Sequence, residues 1–284
     1  MSLLRVNYQD ENAPALLEQS LKTTGFVILT NHPIHRDDVS AVYAEWEHFF
    51  TSNIRHNYLF NRETQEGYSP KSLAEKAKNS TVQDIKEQYQ LYFPWGRYPA
   101  CLSNKTRELF YSLYPLGIEI ACWLEEQMPD KIRQRLACLL KDMMSMERSQ
   151  FRMLYYPALT DTEKKGALRA APHEDINLIT LLPAATTAGL EMQDTNGKWY
   201  SVITNPGDLI INIGDMLQEA TGYFYNAAPH RVINPPDEES NVARLSMPLF
   251  MHPSADIRLS DQYPKADLYL QERLKEIGFI TEAP

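Results

Sequence analysis

The sequence predicts a mainly β protein with flanking helices, arranged as a sandwich or jelly roll. Helical periodicity dominates residues 1–150, and short apolar segments separated by turn residues fill 151–253. The tail, 254–284, returns to a helical pattern. Because many short strands at regular spacing are typical of sandwiches and jelly rolls, the second region is predicted to form the β structure and the flanking regions the helices.

The first region contains two predicted helices around one strand. The segment ENAPALLEQSLKTTG places its leucines on one helical face and ends at Gly25. GFVILTNH is then a short apolar strand, HRDDVSAVYAEWEHFF is a second helix, and the polar stretch that begins NRETQEGYS predicts irregular surface structure. A longer helical pattern runs from Asn104 to about Leu140 and is interrupted at Pro129.

The second region reads as consecutive strands divided by turns such as Asn196-Gly197 and Pro206-Gly207. The predicted strands are FRMLYY, NLITLLP, GLEMQ, WYSV, DLIINIG, HRVINP and RLSMPLFM. In the tail, Leu270, Leu274 and Ile277 recur at helical spacing, which predicts a closing helix.

Composition narrows the choice of partners. The 284 residues carry a net charge of −9 with no basic run, which argues against nucleic acid and anionic membrane as main partners. Three cysteines without CxxC spacing disfavour a disulfide framework or a zinc knuckle, and predict buried thiols in a reducing compartment. The N-terminus lacks a signal-peptide pattern and no apolar run reaches 18 residues, so we expect a cytoplasmic protein. The oligomeric state is left open.

Three metal-capable residues form the strongest chemical pattern. His173 and Asp175 stand two positions apart before an apolar run, and His230 precedes another predicted strand. Residues i and i+2 of an extended segment share a face, so the pair can converge on one point. Two imidazoles and one carboxylate with open coordination positions are expected for non-haem Fe(II) oxygenases. The alternative, a surface-turn His173 and a hydrogen-bonded core His230, carries similar weight while these three residues stand alone.

The segment ARLSMPLF adds a receptor for an acid. Arg244 and Ser246 fall on one strand face, where a guanidinium grips a carboxylate through two hydrogen bonds and a hydroxyl donates a third. A solvated surface arginine is the alternative. The surrounding LSMPLF is too apolar for that, and an arginine pointing inward needs an anion.

These motifs together resemble the isopenicillin N synthase-like family of iron- and 2-oxoglutarate-dependent dioxygenases, also called iron/ascorbate oxidoreductases. HEDINLITLL is similar to the family's HxD strand, and YNAAPHRV to the region of its distal histidine. RLSMPLFMHP matches RxSxxxFxxP, GLEMQDTNGKWYSVITNPGDLIINIGDMLQEATG resembles the GLQV…GxW…PGxLxVNxGDxLQ segment, and GFVILTNHPI resembles GFFxVxNHGI. The match is strong from about Phe151 to Pro253 and looser before it.

The resemblance implies a distorted jelly roll, the double-stranded β-helix, in which His173, Asp175 and His230 hold Fe(II). It assigns Arg244, Ser246 and Tyr156 to the distal carboxylate of 2-oxoglutarate, with ascorbate as an optional reductant. Oxidative decarboxylation of the co-substrate to succinate and CO2 would drive hydroxylation or desaturation of a small molecule. Where many members have Asn before the two tyrosines of LYYP, this chain has Leu154, so one polar contact to the co-substrate is absent.

Substrate contacts are predicted at three residues. Arg152 alternates with Leu154 and Tyr156, faces the same way, and is a candidate for an acidic group of the substrate, with a structural pairing to a glutamate as the alternative. The segment DIKEQYQLYFPWG lies where family members contribute substrate-facing residues, which makes Tyr89 and Tyr92 candidates. Aromatic core packing is the alternative for both tyrosines.

Two further readings stay open at this point. The first is an oxidase of this fold, because isopenicillin N synthase has an HED triplet like His173-Glu174-Asp175 and uses Fe(II) and O2 without 2-oxoglutarate. A non-catalytic metal- or metabolite-binding module is the other, although the complete triad and the Arg-x-Ser pair argue against it.

Overall fold

The computed structural model describes residues 3–73, 82–163 and 166–276 of the chain. Two β-sheets face each other, and the helices pack mainly on the larger one. Within the described residues the helices are α1 (Ala13–Thr24), α2 (Arg36–Thr51), α3 (Lys105–Gln127), α4 (Asp130–Arg133), α5 (Leu140–Met143), α6 (Asp215–Ala220) and α7 (Ala266–Glu276). Short 3-10 turns occupy Asn53–Tyr58 and Lys71–Leu73.

The strands form one large and one small sheet. In chain order they are β1 (Arg5–Asn7), β2 (Phe26–Thr30), β3 (Gly67–Ser69), β4 (Glu87–Tyr92), β5 (Gln150–Tyr156), β6 (Ala170–His173), β7 (Ile179–Pro183), β8 (Leu190–Gln193), β9 (Trp199–Ser201), β10 (Leu209–Ile213), β11 (His230–Val232), β12 (Arg244–Ser246) and β13 (Leu249–Met251). The large sheet has the order β1-β2-β10-β7-β13-β5-β4-β3, with β12 also on β5, and the small sheet has the order β6-β11-β8-β9. This is the predicted jelly roll with flanking helices, and the fold class is confirmed.

Strands from both ends of the sequence share the large sheet. The early strand β2 pairs with β10, and β4 pairs with β5 along its whole length. The region limits predicted at residues 150 and 253 stay predictions, but backbone hydrogen bonds cross the first of them.

Alternation along the central strands divides the core in two. On β2, Val27 and Leu29 pack toward the helices, whereas Phe26 and Ile28 point between the sheets. The helix side is the larger core and holds Trp46 of α2 and most of the apolar face of α3. The smaller core fills part of the space between the sheets and leaves the rest for the site described below.

Two glycines fix how the helices meet the sheet. Gly25 ends α1 with φ of 73°, and its N–H donates to the carbonyl of Leu21, as expected for a glycine after a helix. Gly117 lets α3 approach β13, since a Cβ there would lie 2.1 Å from Sδ of Met251.

Helices α1, α2 and α3 match the predictions, whereas the helix predicted from Pro129 to about Leu140 is reduced to the short α4 (Asp130–Arg133). Some finer points also differ. RLSMPLFM forms two strands, because Pro248 has no N–H to continue the ladder and separates β12 from β13. The prediction of buried thiols is wrong for Cys101 and Cys138, which are exposed, while Cys122 is partly buried. α7 confirms the closing helix as far as Glu276, and Ile277 lies outside the described residues. No helix in the described ranges combines the length and hydropathy needed to cross a membrane.

Candidate metal centre and acid site

The small sheet brings the two predicted histidine ligands together. His173 is the last residue of β6, His230 is the first of β11, and the two are paired directly across the antiparallel ladder. Their ring centroids lie 4.4 Å apart. Asp175 follows His173 after one residue and is 6% exposed. The structure therefore collects His173, Asp175 and His230 at one end of the space between the sheets.

The three side chains converge on one point. One ligand atom from each residue can be chosen so that all lie within 4.8 Å of one another. Oδ1 of Asp175 is 3.4 Å from Nε2 of His230 and 4.0 Å from Nε2 of His173. Two imidazole nitrogens and one carboxylate oxygen form the donor set that non-haem Fe(II) uses, so these residues fit that metal.

Backbone carbonyls set the tautomer of both histidines. Nδ1 of His173 donates to the carbonyl of Ala171 at 2.8 Å, and Nδ1 of His230 donates to that of Ala228 at 3.1 Å. A carbonyl oxygen can only accept, so Nδ1 of each ring carries a proton, and in the neutral ring Nε2 presents its lone pair to the shared point. Both rings are thus oriented by a residue two positions earlier, which is the usual support of a metal-binding imidazole.

Asp175 is held in the same way from its other oxygen. Oδ2 accepts a hydrogen bond from Oγ1 of Thr180 at 2.6 Å and from Nδ2 of Asn212 at 2.7 Å. Thr180 in turn accepts from the amide of Asn177 at 2.8 Å. With Oδ2 engaged, Oδ1 is the oxygen that faces the histidines. Sequence reasoning missed Thr180, which is hidden in an apolar run.

Electrostatics keep this centre ready for a cation. Burial would raise the pKa of Asp175, but the neighbouring His230 outweighs it and holds that pKa below its usual range. Desolvation, followed by the proximity of His230, lowers the pKa of His173 to about 4. At neutral pH the carboxylate is therefore ionised and Nε2 of His173 is free to bind a metal.

A cavity of about 640 Å³ opens beside the triad. Its walls include His173, Asp175 and Tyr156, and residues of α7 close one side. Arg152, Leu154 and Tyr156 all line it, which confirms the prediction that these alternating residues of β5 face the same way. The volume is in the range of ordinary small-molecule sites.

The acid receptor lies against the wall of this cavity. Arg244 is 2% exposed and is paired with Tyr156 across β12 and β5, and its Cζ is 5.3 Å from the centre of the Tyr156 ring. Nε of Arg244 donates to the carbonyl of Thr187 at 3.1 Å. Nη1 is buried and has no hydrogen-bond partner in the part of the chain that the structure describes. Ser246, also buried, is on the same strand face.

A second buried guanidinium adds positive charge at this place. Arg169 is 2% exposed. Burial is the main cause that lowers the pKa of Arg169, and the positive charge of Arg244 lowers it further. The guanidinium of Arg169 donates hydrogen bonds to the backbone carbonyls of Val242 and Pro157. Two buried arginines with no acidic partner among the described residues form a site that is incomplete without an anion, and a 2-oxo acid would supply one. Sequence reasoning missed Arg169, which belongs to no motif.

The substrate candidates divide by strand alternation. Tyr92 lines the cavity, together with Lys86 and Gln90 of the same strand segment. Tyr89 is an odd number of positions from these residues, so it points into the helix-side core, where its hydroxyl donates to the carbonyl of Arg97 at 2.8 Å. The prediction that Tyr89 faces substrate is therefore wrong, and core packing is correct for it.

The cavity wall also contains a buried ion pair that sequence reasoning missed. Nζ of Lys86 is 3.0 Å from Oδ2 of Asp84, and both side chains are almost fully buried. Oδ1 of Asp84 accepts the N–H of Ala171 at 2.9 Å, so Asp84 also fixes the strand that carries His173. The alternation of polar residues in DIKEQYQLY was the signal that could have revealed this wall.

Known proteins resemble this chain in both halves. The model of the 2OG-Fe(II) oxygenase superfamily matches residues 147–253. The model described as non-haem dioxygenase in morphine synthesis N-terminal matches residues 2–109.

Individual relatives match over most of the length. An oxygenase of solved structure from Shewanella oneidensis is 40% identical with a TM-score of 0.87, and the match covers 99% of this chain and 100% of that chain. A proline hydroxylase, buaE of Petromyces alliaceus, is 28% identical over 90% of this chain and 89% of that protein. A Neurospora crassa protein, solved in complex with alpha-KG, shares the fold with a TM-score of 0.78 at 21% identity, covering 95% of each chain.

Proposed function

The chain belongs to the 2OG-Fe(II) oxygenase superfamily, and on that premise we propose which of its residues perform the reaction. It is an Fe(II)- and 2-oxoglutarate-dependent dioxygenase, an oxidoreductase that acts on a small molecule. In the proposal His173, Asp175 and His230 hold the iron, and Arg244, Ser246 and Tyr156 hold the co-substrate. The observation that carries the proposal is the convergence of three correctly oriented ligand atoms within 4.8 Å at a cavity wall.

The cofactors supply the chemistry, and the chain supplies geometry. When bound, Fe(II) with 2-oxoglutarate and O2 supplies oxidative decarboxylation to succinate and CO2 together with oxidation of a C–H bond of the substrate. The carbonyls of Ala171 and Ala228 keep the two imidazoles turned toward the iron position. Thr180 and Asn212 present one oxygen of Asp175 to it and occupy the other.

Arg244 determines where the acid binds. Its guanidinium is already buried, so a carboxylate that reaches it exchanges water for a charge-assisted bond in a low-dielectric site. Tyr156, which lies over the guanidinium, also lines the cavity and can place its hydroxyl on the same acid. Binding of its carboxylate at Arg244 therefore fixes one end of the co-substrate in the buried part of the site and directs the other end toward the iron position.

We further propose that Arg152 contacts an acidic group of the main substrate. Its Nε donates to Oε1 of Gln150 at 2.8 Å, and its guanidinium lies 5.1 Å from the ring of Phe250. These contacts hold the arginine in the cavity wall, next to Tyr92 and Gln90. An acid with an apolar or planar body would complement a wall of this chemistry.

We also propose the subclass, the cellular location and the kind of partner of this protein. The order of motifs supports the isopenicillin N synthase-like subclass, with the HED triplet at residues 173–175 and Arg244-x-Ser246. A cytoplasmic location is supported by the three free cysteines, and the net charge of −9 supports a small molecule over nucleic acid or anionic membrane as partner.

Succinate release tests the main proposal. Purified protein with Fe(II), ascorbate, O2 and 2-oxoglutarate is expected to form succinate slowly without substrate and faster with the correct substrate. The screen pairs each carboxylic acid with its amide, and stimulation by the acid alone would support the role of Arg152. Iron binding without any binding or turnover of 2-oxoglutarate would reject the co-substrate assignment and favour the oxidase alternative.

A further inference from the structure

Three side chains lie in a row across β4, β5 and β12, next to the row that holds Tyr156 and Arg244. Gln88 on β4 is directly opposite Leu154 on β5, and Leu154 is directly opposite Ser246 on β12. Directly opposed residues of antiparallel strands point to the same face of a sheet. Gln88 therefore shares a face with Ser246 and, one row away, with Tyr156 and Arg244.

The amide of Gln88 has no partner within the described part of the chain. The residue is 1% exposed, and both Oε1 and Nε2 are buried without a hydrogen bond. Native proteins pair nearly all buried polar groups, so a carboxamide with neither atom paired indicates a missing ligand or water. Leu154, the neighbour in the row, is apolar and offers no bond.

The unpaired groups of this face fit one type of molecule. Nη1 of Arg244 needs an anion, and Nε2 of Gln88 needs an acceptor one row closer to Arg152. A single carboxylic acid with further oxygen atoms along its chain would satisfy both groups at once, and a water would satisfy only the amide. The proposed co-substrate has this chemistry.

We propose that Gln88 is a positioning residue for the co-substrate, donating a hydrogen bond from its amide to an oxygen of the 2-oxo acid that Arg244 holds. This inference rests on the proposed function. It extends the acid site from β5 and β12 to β4, so that a strand from the region before residue 150 takes part in co-substrate binding.

Equilibrium binding tests the inference without turnover. 2-Oxoglutarate is titrated by calorimetry into the full-length protein loaded with Mn(II), without O2 or substrate. Gln88→Met keeps the length of the side chain and removes its hydrogen bonds. We expect its Kd for 2-oxoglutarate to rise roughly 10- to 100-fold, the usual loss for a hydrogen bond to a charged group. Its Mn(II) affinity and thermal midpoint without 2-oxoglutarate are expected to stay at or above the wild-type values.

Two further variants keep the test decisive. Gln88→Glu preserves the shape and is expected to weaken binding at least as much, since two carboxylates repel each other. Gln193→Met is the matched control, because that glutamine is on the small sheet and its side chain bonds only the carbonyl of Gly197 among the described residues. Its Kd should equal that of the wild type.

The outcomes separate this inference from the proposed function. If wild-type protein does not bind 2-oxoglutarate at all, the proposed function fails. If it binds and both Gln88 variants bind equally well, the proposed function stands and the role of Gln88 is rejected. Equal weakening by Gln193→Met would also reject it, because the loss would not be specific to the site.

Discussion

The two ends of the ligand site differ in how far their polar groups are satisfied by the chain itself. At the metal end, each histidine has its backbone acceptor and the outer oxygen of Asp175 has two donors. At the acid end, Nη1 of Arg244 and the amide of Gln88 are buried without partners among the described residues. The first end has its geometry before any ligand arrives, whereas the second retains unpaired groups that a ligand must pair. Changes at the first end should therefore affect metal affinity, and changes at the second should affect co-substrate affinity with little loss of stability.

The largest expected effect follows from removing a ligand at the metal end. His173→Ala or Asp175→Ala should lower iron binding and succinate formation below detection, because two protein donors do not hold Fe(II) as three do. The fold should survive, since these side chains lie at the end of a core that other residues fill. Metal content after dialysis, succinate assays and circular dichroism measure the three quantities.

An exposed histidine provides the control for this change. His48→Ala, in the last turn of α2, should leave metal content and turnover unchanged. Retained turnover in either triad variant would contradict the assignment, and loss of the folded state would contradict the view that the metal end is supported by its surroundings.

Arg244 provides the sharpest contrast between affinity and stability. Arg244→Met should raise the Kd for 2-oxoglutarate roughly 100- to 1,000-fold, the usual cost of breaking a buried charge pair. Without 2-oxoglutarate, its free energy of unfolding should equal or exceed that of the wild type, because an unpaired buried charge is removed. Calorimetric titration and urea denaturation test the two statements.

The surface variant Arg258→Ala should change neither quantity. Its side chain is 43% exposed and lies near Asp261, whereas Arg244 is buried. A parallel fall of stability and affinity in Arg244→Met would mean that the two ends do not differ in the way described, since the charge of the guanidinium would then be compensated in the free protein.

A smaller effect is expected from the supports of Asp175. Thr180→Val keeps the shape of the side chain and removes its hydrogen bond to Oδ2. Loss of a contact that orients a metal ligand typically costs about 10- to 100-fold in metal affinity. Competition with a chelator measures that loss, and Thr23→Val, an exposed threonine on α1, should show none. Unchanged affinity in Thr180→Val would indicate that Asn212 alone holds the carboxylate.

The smallest expected effect concerns Asp215, a buried carboxyl at the metal end whose two oxygens are not both paired within the described residues. Burial raises the pKa of Asp215 well above its usual value, and Oδ1 has no partner among the described residues. The folded protein thus keeps a proton that the unfolded chain releases above about pH 3.9. This contribution to stability is complete below that pH and is lost as the pH rises toward the folded-state pKa.

Asp215→Asn should remove this dependence. The stability of the variant relative to wild type should increase with pH from about 4 upward, because the wild type pays for a buried carboxylate and the amide does not. Urea denaturation at several pH values would show it. Parallel curves for the two proteins would mean that Asp215 ionises freely in the fold.

Sequence reasoning succeeded where one periodicity dominated. β7 and β10 are buried throughout and mostly apolar, and the triad was found because alternation and motif order pointed to the same residues. It failed for β4, whose alternating polar residues border a cavity and not a core, and for the short strand β6, whose sequence AAPH carries no strand pattern. Tyr89 and Tyr92 look equivalent in the sequence, and only the register of β4 separates them.

Residues outside any motif could not be predicted for a different reason. Arg169 and Gln88 have ordinary neighbours in the sequence, and their meaning depends on which strands lie beside them. Thr180 supports Asp175 through a contact that its apolar surroundings conceal. Such roles require three-dimensional proximity, which a single sequence does not contain.

The pairing of β2 with β10 and of β4 with β5 has a practical consequence for anyone who divides this protein. A fragment that starts near residue 110 would keep the triad but lose β2 and β4. One edge of β10 and one edge of β5 would then present backbone N–H and C=O groups without partners. Open edges of this kind invite pairing between molecules. Such a fragment is expected to precipitate, and a shuffled or shortened library should keep the early strands together with the histidines.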